Sequence, residues 1–262
     1  MSRLPTAIVP DLPAPSPIAR RELSVLGAPV ELVGLPSRRA RGQATGDRPA
    51  VAASPARRIL ATESHWQDDE LALTPNRFPF ADQQQLLWSR TPRREPDAAM
   101  WAAAAAWCAA TGGTALGNTI GAAATIAWAH LHLTPERLGW LAALPERAPR
   151  AELPALPTEV EAVAKDLPCG LLGLRSADPD ALGHALAELS VSRLLPANNV
   201  CIADGTAWSF PRRIETPTPH FPYALGAAEL WGRWCYLDQA PLQAATAADL
   251  EAALTAAGAA PL

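Results

Sequence analysis

Short segments in which apolar and polar residues alternate occur along most of the chain, and this alternation is typical of half-buried β-strands. The sequence predicts two strands around a Gly-Ala-Pro turn over 22–35, and a hairpin made of 58–67 and 69–80. Further strands are predicted at 83–89, 125–133, 170–176 and 230–239, and as a hairpin over 198–213 with Asp204-Gly205 at its turn.

Helices are predicted where a capping residue precedes a longer apolar or amphipathic run. The clearest spans 97–113, with Asp97 as its N-cap and Gly112-Gly113 at its end. The others run from Thr158 to Lys165, from Asp178 to Leu189, and from Thr246 to about Gly258. Because the strands come as hairpins and the helices stand apart from them, the predicted class is α+β, an antiparallel sheet with flanking helices.

The composition indicates a globular chain and excludes some partners. Of the 262 residues 49% are hydrophobic, and 22 basic against 26 acidic residues give a net charge of −4. Nucleic acid is a poor partner for an acidic chain, because its binding depends on many cationic contacts to phosphate. We find no apolar segment long enough for a secretory signal or a membrane span, so we expect a cytoplasmic protein without a membrane partner.

Two further features concern the N-terminus and the cysteines. Residues 1–20 are rich in Pro, Ser and Ala without a period, which predicts a flexible N-terminal arm. The four cysteines are spaced singly, which favours buried thiols over a metal site or a disulfide framework. They are Cys108, Cys169, Cys201 and Cys235.

Two of the five histidines, His130 and His132, lie one residue apart in a predicted strand. Alternate residues of a strand share a face, so we expect both rings and Thr134 on one face and the intervening leucines in the core. Near neutral pH an imidazole is a largely uncharged nitrogen nucleophile, so such a pair can attack phosphorus.

The segment just before the histidines, GNTIGAA at 117–123, suits a phosphate. Gly117 and Gly121 permit close approach of the backbone, whose N–H groups can hold phosphate oxygens. Asn118 and Thr119 add side-chain donors.

Two other interpretations of the histidine pair stay open. Both rings can be ordinary polar side chains of a half-exposed strand. They can also be metal ligands, with a third ligand from a carboxylate or from another histidine, although no spacing favours a particular one. The other histidines are His65, His184 and His220.

The order of five segments resembles that of a known family. They are NRFPF (76–80), QQQLLW (83–88), the capped helix at 97–111, GNTIGAAATIAWAHLHL (117–133) and NNVCIADGTAWSFPRR (198–213). Together they resemble the GDP-galactose phosphorylase and diadenosine-tetraphosphate phosphorylase group of the histidine-triad and galactose-1-phosphate uridylyltransferase superfamily. The resemblance runs from about residue 60 to the C-terminus.

The resemblance implies a histidine-triad-like catalytic domain over 21–262, with the histidine strand in 21–150 and a completing part in 151–262. In the family, the second histidine attacks the α-phosphorus of a nucleotide and forms a nucleotidyl-histidine. Phosphate, a sugar phosphate or water then takes the nucleotidyl group. Carried over, His132 is the nucleophile and His130 braces it. The implied substrate is a nucleotide or nucleotide-sugar, with phosphate, no cofactor and a possible homodimer.

The resemblance also implies residues that bind the substrate. Asn118, Thr119 and Gly121 hold the α-phosphate, and Asn76 and Phe78 lie near the base and ribose. Relatives often hold a structural zinc through Cys and His, but this chain lacks a cysteine pair, so we expect none. Independently of the resemblance, Arg212 and Arg213 follow Phe-Pro at a strand end, as a phosphate clamp or as a solvated loop.

This sequence departs from the family pattern at three places. Thr134 stands two residues after the implied nucleophile, where the family has Gln or His, and a threonine reaches less far. Gln84 stands where the upstream strand often carries a histidine. About two extra residues separate the Gly-Ala pair from the histidines. These departures favour an alternative, a degenerate or repurposed member that binds a nucleotide or small ligand without nucleotidyl transfer.

Overall fold

A computed structural model describes residues 4–6, 11–41, 51, 54–150, 153, 155–191 and 197–259. Its strands are β1 (Ala19–Val25), β2 (Ala28–Gly34), β3 (Trp66–Gln67), β4 (Leu71–Pro75), β5 (Gln85–Ser89), β6 (Thr114–Asn118), β7 (His130–Thr134), β8 (Glu146–Arg147), β9 (Glu161–Lys165), β10 (Leu172–Arg175), β11 (Asn198–Ala203), β12 (Thr206–Pro211) and β13 (Arg233–Tyr236). Its helices are α1 (Ala56–Glu63), α2 (Ala98–Thr111), α3 (Trp140–Ala143), α4 (Pro179–Val191), α5 (Ala227–Trp231), α6 (Gln239–Ala244) and α7 (Ala247–Ala257), with a 3₁₀-helix at Pro36–Arg41.

Ten strands form one antiparallel sheet in the order β3-β4-β5-β7-β6-β11-β12-β10-β9-β8. The other three form a small sheet, β1-β2-β13, in which β13 runs parallel to β2. The predicted α+β class, an antiparallel sheet with flanking helices, is confirmed. Strand β7 lies between β5 and β6, so its backbone is hydrogen-bonded on both sides and its side chains are held firmly.

The two faces of β7 have different surroundings, as the alternation predicted. Leu131 and Leu133 are fully buried in a core that includes Trp101 of α2 and Leu182 of α4. The histidines and Thr134 therefore lie on the opposite face. The leucines anchor the strand, while the other face is left for polar side chains.

Helices α2 and α4 approach closely at Gly183. A Cβ at this position would lie 2.5 Å from the carbonyl oxygen of Ala98 and 2.7 Å from the nitrogen of Ala102. Gly183→Ala is therefore expected to lower the free energy of unfolding in urea by about 1–3 kcal/mol, because the helices must separate. A Cβ at Gly139 would meet nothing within 4 Å, so Gly139→Ala is the matched control, and equal stabilities of the two variants would contradict this packing.

Local signals placed most of the predicted elements correctly. Helix α2 begins after Asp97, whose side chain accepts a hydrogen bond from the Met100 nitrogen, and it ends at Gly112 in the left-handed conformation. The β11–β12 hairpin turns at Asp204 and Gly205, both with positive φ. Strands β1, β2, β5 and β10 and helices α4 and α7 also lie within or overlap the predicted ranges.

The prediction of a strand over 58–67 is wrong for most of its length, because α1 covers Ala56–Glu63. Ala56, Ile59 and Leu60 lie at helical spacing and pack against the buried Trp88 and Trp128. Only Trp66–Gln67 forms the hairpin with β4.

The helix predicted from Thr158 to Lys165 is also wrong, because Glu161–Lys165 is strand β9. It pairs on one side with β10 and on the other with β8. Lys165 is buried, and its ammonium donates to the carbonyl oxygen of Leu144 at 2.7 Å. Pairing with two strands outweighs the capping signal of Thr158.

Two predicted strands are shorter than expected. Within 125–133 only the residues from His130 onward are strand, because Ala129 donates its N–H to Arg93 and the Trp128 indole donates to the Ser89 carbonyl. Within 230–239 the first residues belong to α5, which ends at Gly232 in the left-handed conformation.

Part of the predicted N-terminal arm packs against the rest of the protein. Within the predicted arm, Leu4 is buried in the core, and the Trp107 indole donates to the carbonyl of Pro5. The flexibility of the arm as a whole stays a prediction, as does the division of the chain into domain parts.

All four cysteines are buried, as predicted, and burial raises the pKa of Cys108 to about 12 and of Cys169 to about 11. In the described ranges, no helix combines the length and apolarity needed to cross a membrane.

Candidate active site

A cleft with an empty volume of about 690 Å³ opens along β7. Its lining brings together five residues that the sequence analysis singled out: Asn76, Phe78, Asn118, His130 and His132. These residues come from three stretches of the chain: the loop between β4 and β5, the end of β6, and β7. The stretches meet because β5, β7 and β6 are neighbours in the sheet.

The two histidines are held by different contacts. The His130 ring stacks on Trp88, with centroids 4.7 Å apart and planes at 28°, and its Nδ1 lies 2.8 Å from the carbonyl oxygen of Trp128. The His132 ring lies 5.4 Å from that of Phe80, and its Nδ1 lies 3.2 Å from Nε2 of Gln84. The centroids of the two imidazoles are 5.7 Å apart, so both rings can act on one substrate group.

Gln84 is fully buried and belongs to a chain of hydrogen bonds behind His132. Its Oε1 accepts from the Phe80 backbone nitrogen and from Nδ2 of Asn76, both at 2.9 Å. The Asn76 oxygen in turn accepts from the Phe78 backbone nitrogen at 3.0 Å. Asn76 therefore lines the cleft, but its amide also orients Gln84.

Arg233 holds the loop between β4 and β5, which contains these hydrogen-bonded residues. It donates to the carbonyl oxygen of Phe80 at 2.9 Å, and to the carboxylates of Glu31 and Glu136 at 2.7 Å each. Glu136 also accepts from the backbone nitrogen of Asp82. Partial burial disfavours the Glu136 carboxylate, but hydrogen bonds and the Arg233 charge outweigh burial and lower the pKa of Glu136.

Glu136→Gln is expected to lower the free energy of unfolding near pH 7 by about 1–2 kcal/mol, since it weakens charged hydrogen bonds. The folded pKa lies below the unfolded value of about 4.3, so the carboxylate stabilises the fold above that pH and the contribution is lost as the pH falls through the folded value. Urea unfolding should show the difference from wild type shrinking in acid. Glu161→Gln is the control, because its bridge to Arg175 is exposed and long, at 3.5 Å; an equal effect of the two variants would contradict the assignment.

The predicted phosphate loop is partly engaged with the protein itself. The Asn118 oxygen accepts from the backbone nitrogen of Ala227 and from Asn199, both at 2.8 Å, so its amide NH₂ is the group that remains to donate. Thr119 exchanges two hydrogen bonds with the backbone of Asn198, and Gly121 has a φ of +87°. Of the three predicted phosphate-binding residues, the structure brings Asn118 into the cleft lining.

Three other predicted site residues lie outside the cleft lining. The Thr134 hydroxyl donates to the Asp82 carbonyl at 2.9 Å. Arg212 is buried and donates to Asn199 and to the carbonyl of Leu225, and burial lowers its pKa to about 10. Arg213 is exposed. Arg212 therefore joins β12 to the segments that follow it.

Sequence reasoning missed three charged residues that line the cleft: Arg38, Glu63 and Arg77. Arg38 is largely buried, and its guanidinium lies 4.8 Å from the Phe80 ring centroid. Arg77 pairs with Glu63 at 2.9 Å. Arg38 lies in no local motif and reaches the cleft through the tertiary fold. Arg77 lies between Asn76 and Phe78 in NRFPF, but the sequence analysis assigned it no role. Over the described part of the chain, no three His, Cys, Asp or Glu side chains are grouped to hold a metal ion.

Comparison with solved structures gives the fold a known counterpart. Yeast Ap4A phosphorylase Apa2 in complex with Ap4A matches this chain with a TM-score of 0.68 and 15% identity, over 93% of this chain and 90% of that one. The chain has the fold of Apa2. The AMP complex of Apa2 matches with a TM-score of 0.67 and 14% identity, over 93% and 89%. No family model and no curated protein matches the sequence. The histidine-triad-like fold that the sequence predicted is confirmed by Apa2.

Proposed function

We propose that this protein is a nucleotidyltransferase of the phosphorylase kind. It cleaves a dinucleoside polyphosphate or a nucleoside diphosphate sugar through a nucleotidyl-histidine, and transfers the nucleotidyl group to phosphate or a sugar phosphate. The observation that carries the proposal is the pair of largely buried histidines, His130 and His132, which line the cleft. Both belong to β7, a strand that is hydrogen-bonded on both sides.

The lining of the cleft supports a nucleotide as its ligand. Ile59, Leu86 and Ile126 offer apolar surface for a base. Arg38 and the Asn118 amide supply donors for phosphate oxygens. Apa2 was crystallised with Ap4A and with AMP, which favours an adenine nucleotide as the first substrate to test.

The chemistry proceeds in two displacements at one phosphorus atom. An imidazole nitrogen forms a bond to the α-phosphorus, and the bond to the bridging oxygen breaks, so that the remaining polyphosphate leaves with the electron pair. A phosphate oxygen then attacks the same phosphorus, and the nitrogen recovers its lone pair. With Ap4A the first step releases ATP and the second releases ADP.

The proposal is tested by incubating the protein with Ap4A and inorganic phosphate and separating the nucleotides by chromatography. The expected result is equal amounts of ATP and ADP, formed only when phosphate is present. GDP-, UDP- and ADP-sugars are tested in parallel, with a sugar phosphate as a second acceptor. Consumption of none of these substrates would contradict the proposal.

A second candidate function is nucleotide binding without transfer. It is favoured because two polar groups near the site donate their hydrogen bonds within the protein. The Thr134 hydroxyl donates to the Asp82 carbonyl, and the Ala123 amide in the cleft lining donates to the Glu215 carboxylate at 2.6 Å. A nucleotide that raises the melting temperature and is never consumed would support this candidate. A cytoplasmic location and a homodimer stay predictions under either function.

A further inference from the structure

One backbone amide of the cleft lining binds a carboxylate of the protein itself. The nitrogen of Ala123 donates to Oε1 of Glu215, and the two atoms are 2.6 Å apart. Ala123 lines the same cleft as Asn118, His130 and His132. Its φ of +68° is in the left-handed region, which alanine rarely adopts. A carboxylate and a phosphate both offer an anionic oxygen, so the amide that binds Glu215 can also bind a phosphate oxygen.

The Ala123 amide lies close to the donor that Asn118 offers. A Cβ placed on Gly226 would lie 3.3 Å from the Cβ of Ala123 and 3.3 Å from the side-chain oxygen of Asn118, so the two residues flank the same glycine. The Asn118 oxygen accepts from Ala227 and Asn199, and its NH₂ is left to donate. One phosphate group can therefore accept hydrogen bonds from both residues.

The conformation of the loop that contains Ala123 is fixed by hydrogen bonds that do not involve Glu215. The nitrogens of Ala122 and Ala124 both donate to the carbonyl oxygen of Thr119, at 2.9 and 3.3 Å. The Asn199 side chain donates to the carbonyl oxygen of Ala122 at 2.7 Å. The loop therefore does not need the carboxylate to hold its shape.

Glu215 is anchored through its main chain, which leaves its side chain able to move. Its carbonyl oxygen accepts from the Leu225 nitrogen at 2.9 Å and from the Arg212 guanidinium at 3.4 Å. Glu215 is half-buried, and the neighbouring Ile214 and Thr216 are exposed. A change of side-chain rotamer is therefore enough to carry the carboxylate into water without moving the main chain.

We propose that Glu215 is an internal competitor for phosphate, whose carboxylate occupies the Ala123 amide in the free protein and leaves it when a nucleotide binds. This proposal rests on the proposed function, because it takes a nucleotide as the ligand of the cleft. Binding of a phosphate group must also displace the carboxylate, so Glu215 weakens the affinity for every ligand that carries one. A ligand without phosphate is not affected.

The proposal is tested by calorimetric titration of the intact protein with AMP, GMP and UMP at neutral pH. Glu215→Ala is expected to lower the Kd of the nucleotides that bind by about 5-fold or more, because the Ala123 amide is then open to phosphate. Adenosine, titrated in parallel, is expected to show no such gain. An equal gain for adenosine and AMP would overturn the proposal, since the effect would not depend on phosphate.

Two further variants separate occupation of the amide from the effect of charge. Glu251→Ala is the matched control, because Glu251 accepts from the Leu26 nitrogen at 3.1 Å and Leu26 also has a positive φ, of +54°, but both lie outside the cleft lining. Its AMP affinity is expected to equal that of the wild type. Glu215→Asp keeps the charge on a side chain one methylene shorter, and it is expected to tighten binding as well. A gain in Glu251→Ala as large as in Glu215→Ala, or no gain in Glu215→Asp, would assign the effect to charge and contradict occupation of the amide.

The outcome for Glu215 is distinguishable from that for the proposed function. Unchanged or weaker nucleotide binding in Glu215→Ala overturns the inference, as does the binding of none of the three nucleotides to either protein. Turnover of Ap4A or a nucleotide-sugar decides the function separately. Tighter binding without turnover removes the function and keeps the competitor, while turnover with unchanged affinity does the reverse.

Discussion

His132→Ala is expected to lower kcat/KM for phosphate-dependent cleavage of Ap4A by about 10⁴-fold or more, because it removes the imidazole that we propose as the nucleophile. His130→Ala is expected to cost less, about 10²–10³-fold, because it removes the neighbouring ring that braces the nucleophile and not the nucleophile itself. Initial rates of ADP formation measure both. The difference between the two variants is the quantity of interest, since each removes one imidazole from the same cleft.

His184→Ala is the control for this pair of variants, because His184 is exposed on α4 and lies outside the cleft lining. Its activity is expected to equal that of the wild type. A larger loss in His130→Ala than in His132→Ala would contradict the assignment of the nucleophile. An equal, small loss in both would contradict nucleotidyl transfer by this cleft.

Trp88→Ala is expected to have the largest effect on stability, lowering the free energy of unfolding by about 3–5 kcal/mol. Trp88 is fully buried, its indole N–H donates to the Thr74 hydroxyl at 2.9 Å, and its ring stacks on His130. The substitution leaves a cavity directly behind His130, so activity is expected to fall as well, even under conditions where the variant remains folded.

Trp88→Phe separates the loss of the indole hydrogen bond from the loss of ring packing. Phenylalanine keeps an aromatic face for the His130 ring but leaves the Thr74 hydroxyl without its donor, and we expect a loss of about 1–2 kcal/mol. Urea unfolding measures both variants, and Ap4A cleavage shows whether His130 is still held. A loss below about 1 kcal/mol in Trp88→Ala would contradict the burial and packing described for this residue.

The elements that the sequence predicted well are those fixed by neighbouring residues. Helix α2 is set by the Asp97 cap and Gly112, and the β11–β12 hairpin by Asp204 and Gly205. Helix α1 and strand β9 could not be predicted in this way. The first is selected by packing on Trp88 and Trp128, and the second by pairing with β8 and β10, the strands before and after it in the chain. Local capping and alternation signals were therefore misleading there.

The sequence predicted those residues of the candidate site that lie in local motifs. His130, His132 and Asn118 lie within one short stretch, and the alternation along β7 predicts which face the rings occupy. Arg38 reaches the cleft from a distant 3₁₀-helix and carries no motif. The orientation of the Gln84 amide could not be predicted for a similar reason, because it depends on the contact of its oxygen with the Phe80 backbone nitrogen.

The central claim of this account is a covalent nucleotidyl-histidine, and intact-protein mass tests it most directly. The protein is mixed briefly with Ap4A without phosphate and quenched at alkaline pH, because phosphoramidates are acid-labile. The account predicts a mass gain of one AMP that is absent in His132→Ala and disappears, with release of ADP, when phosphate is added. An unchanged mass together with intact Ap4A would contradict it.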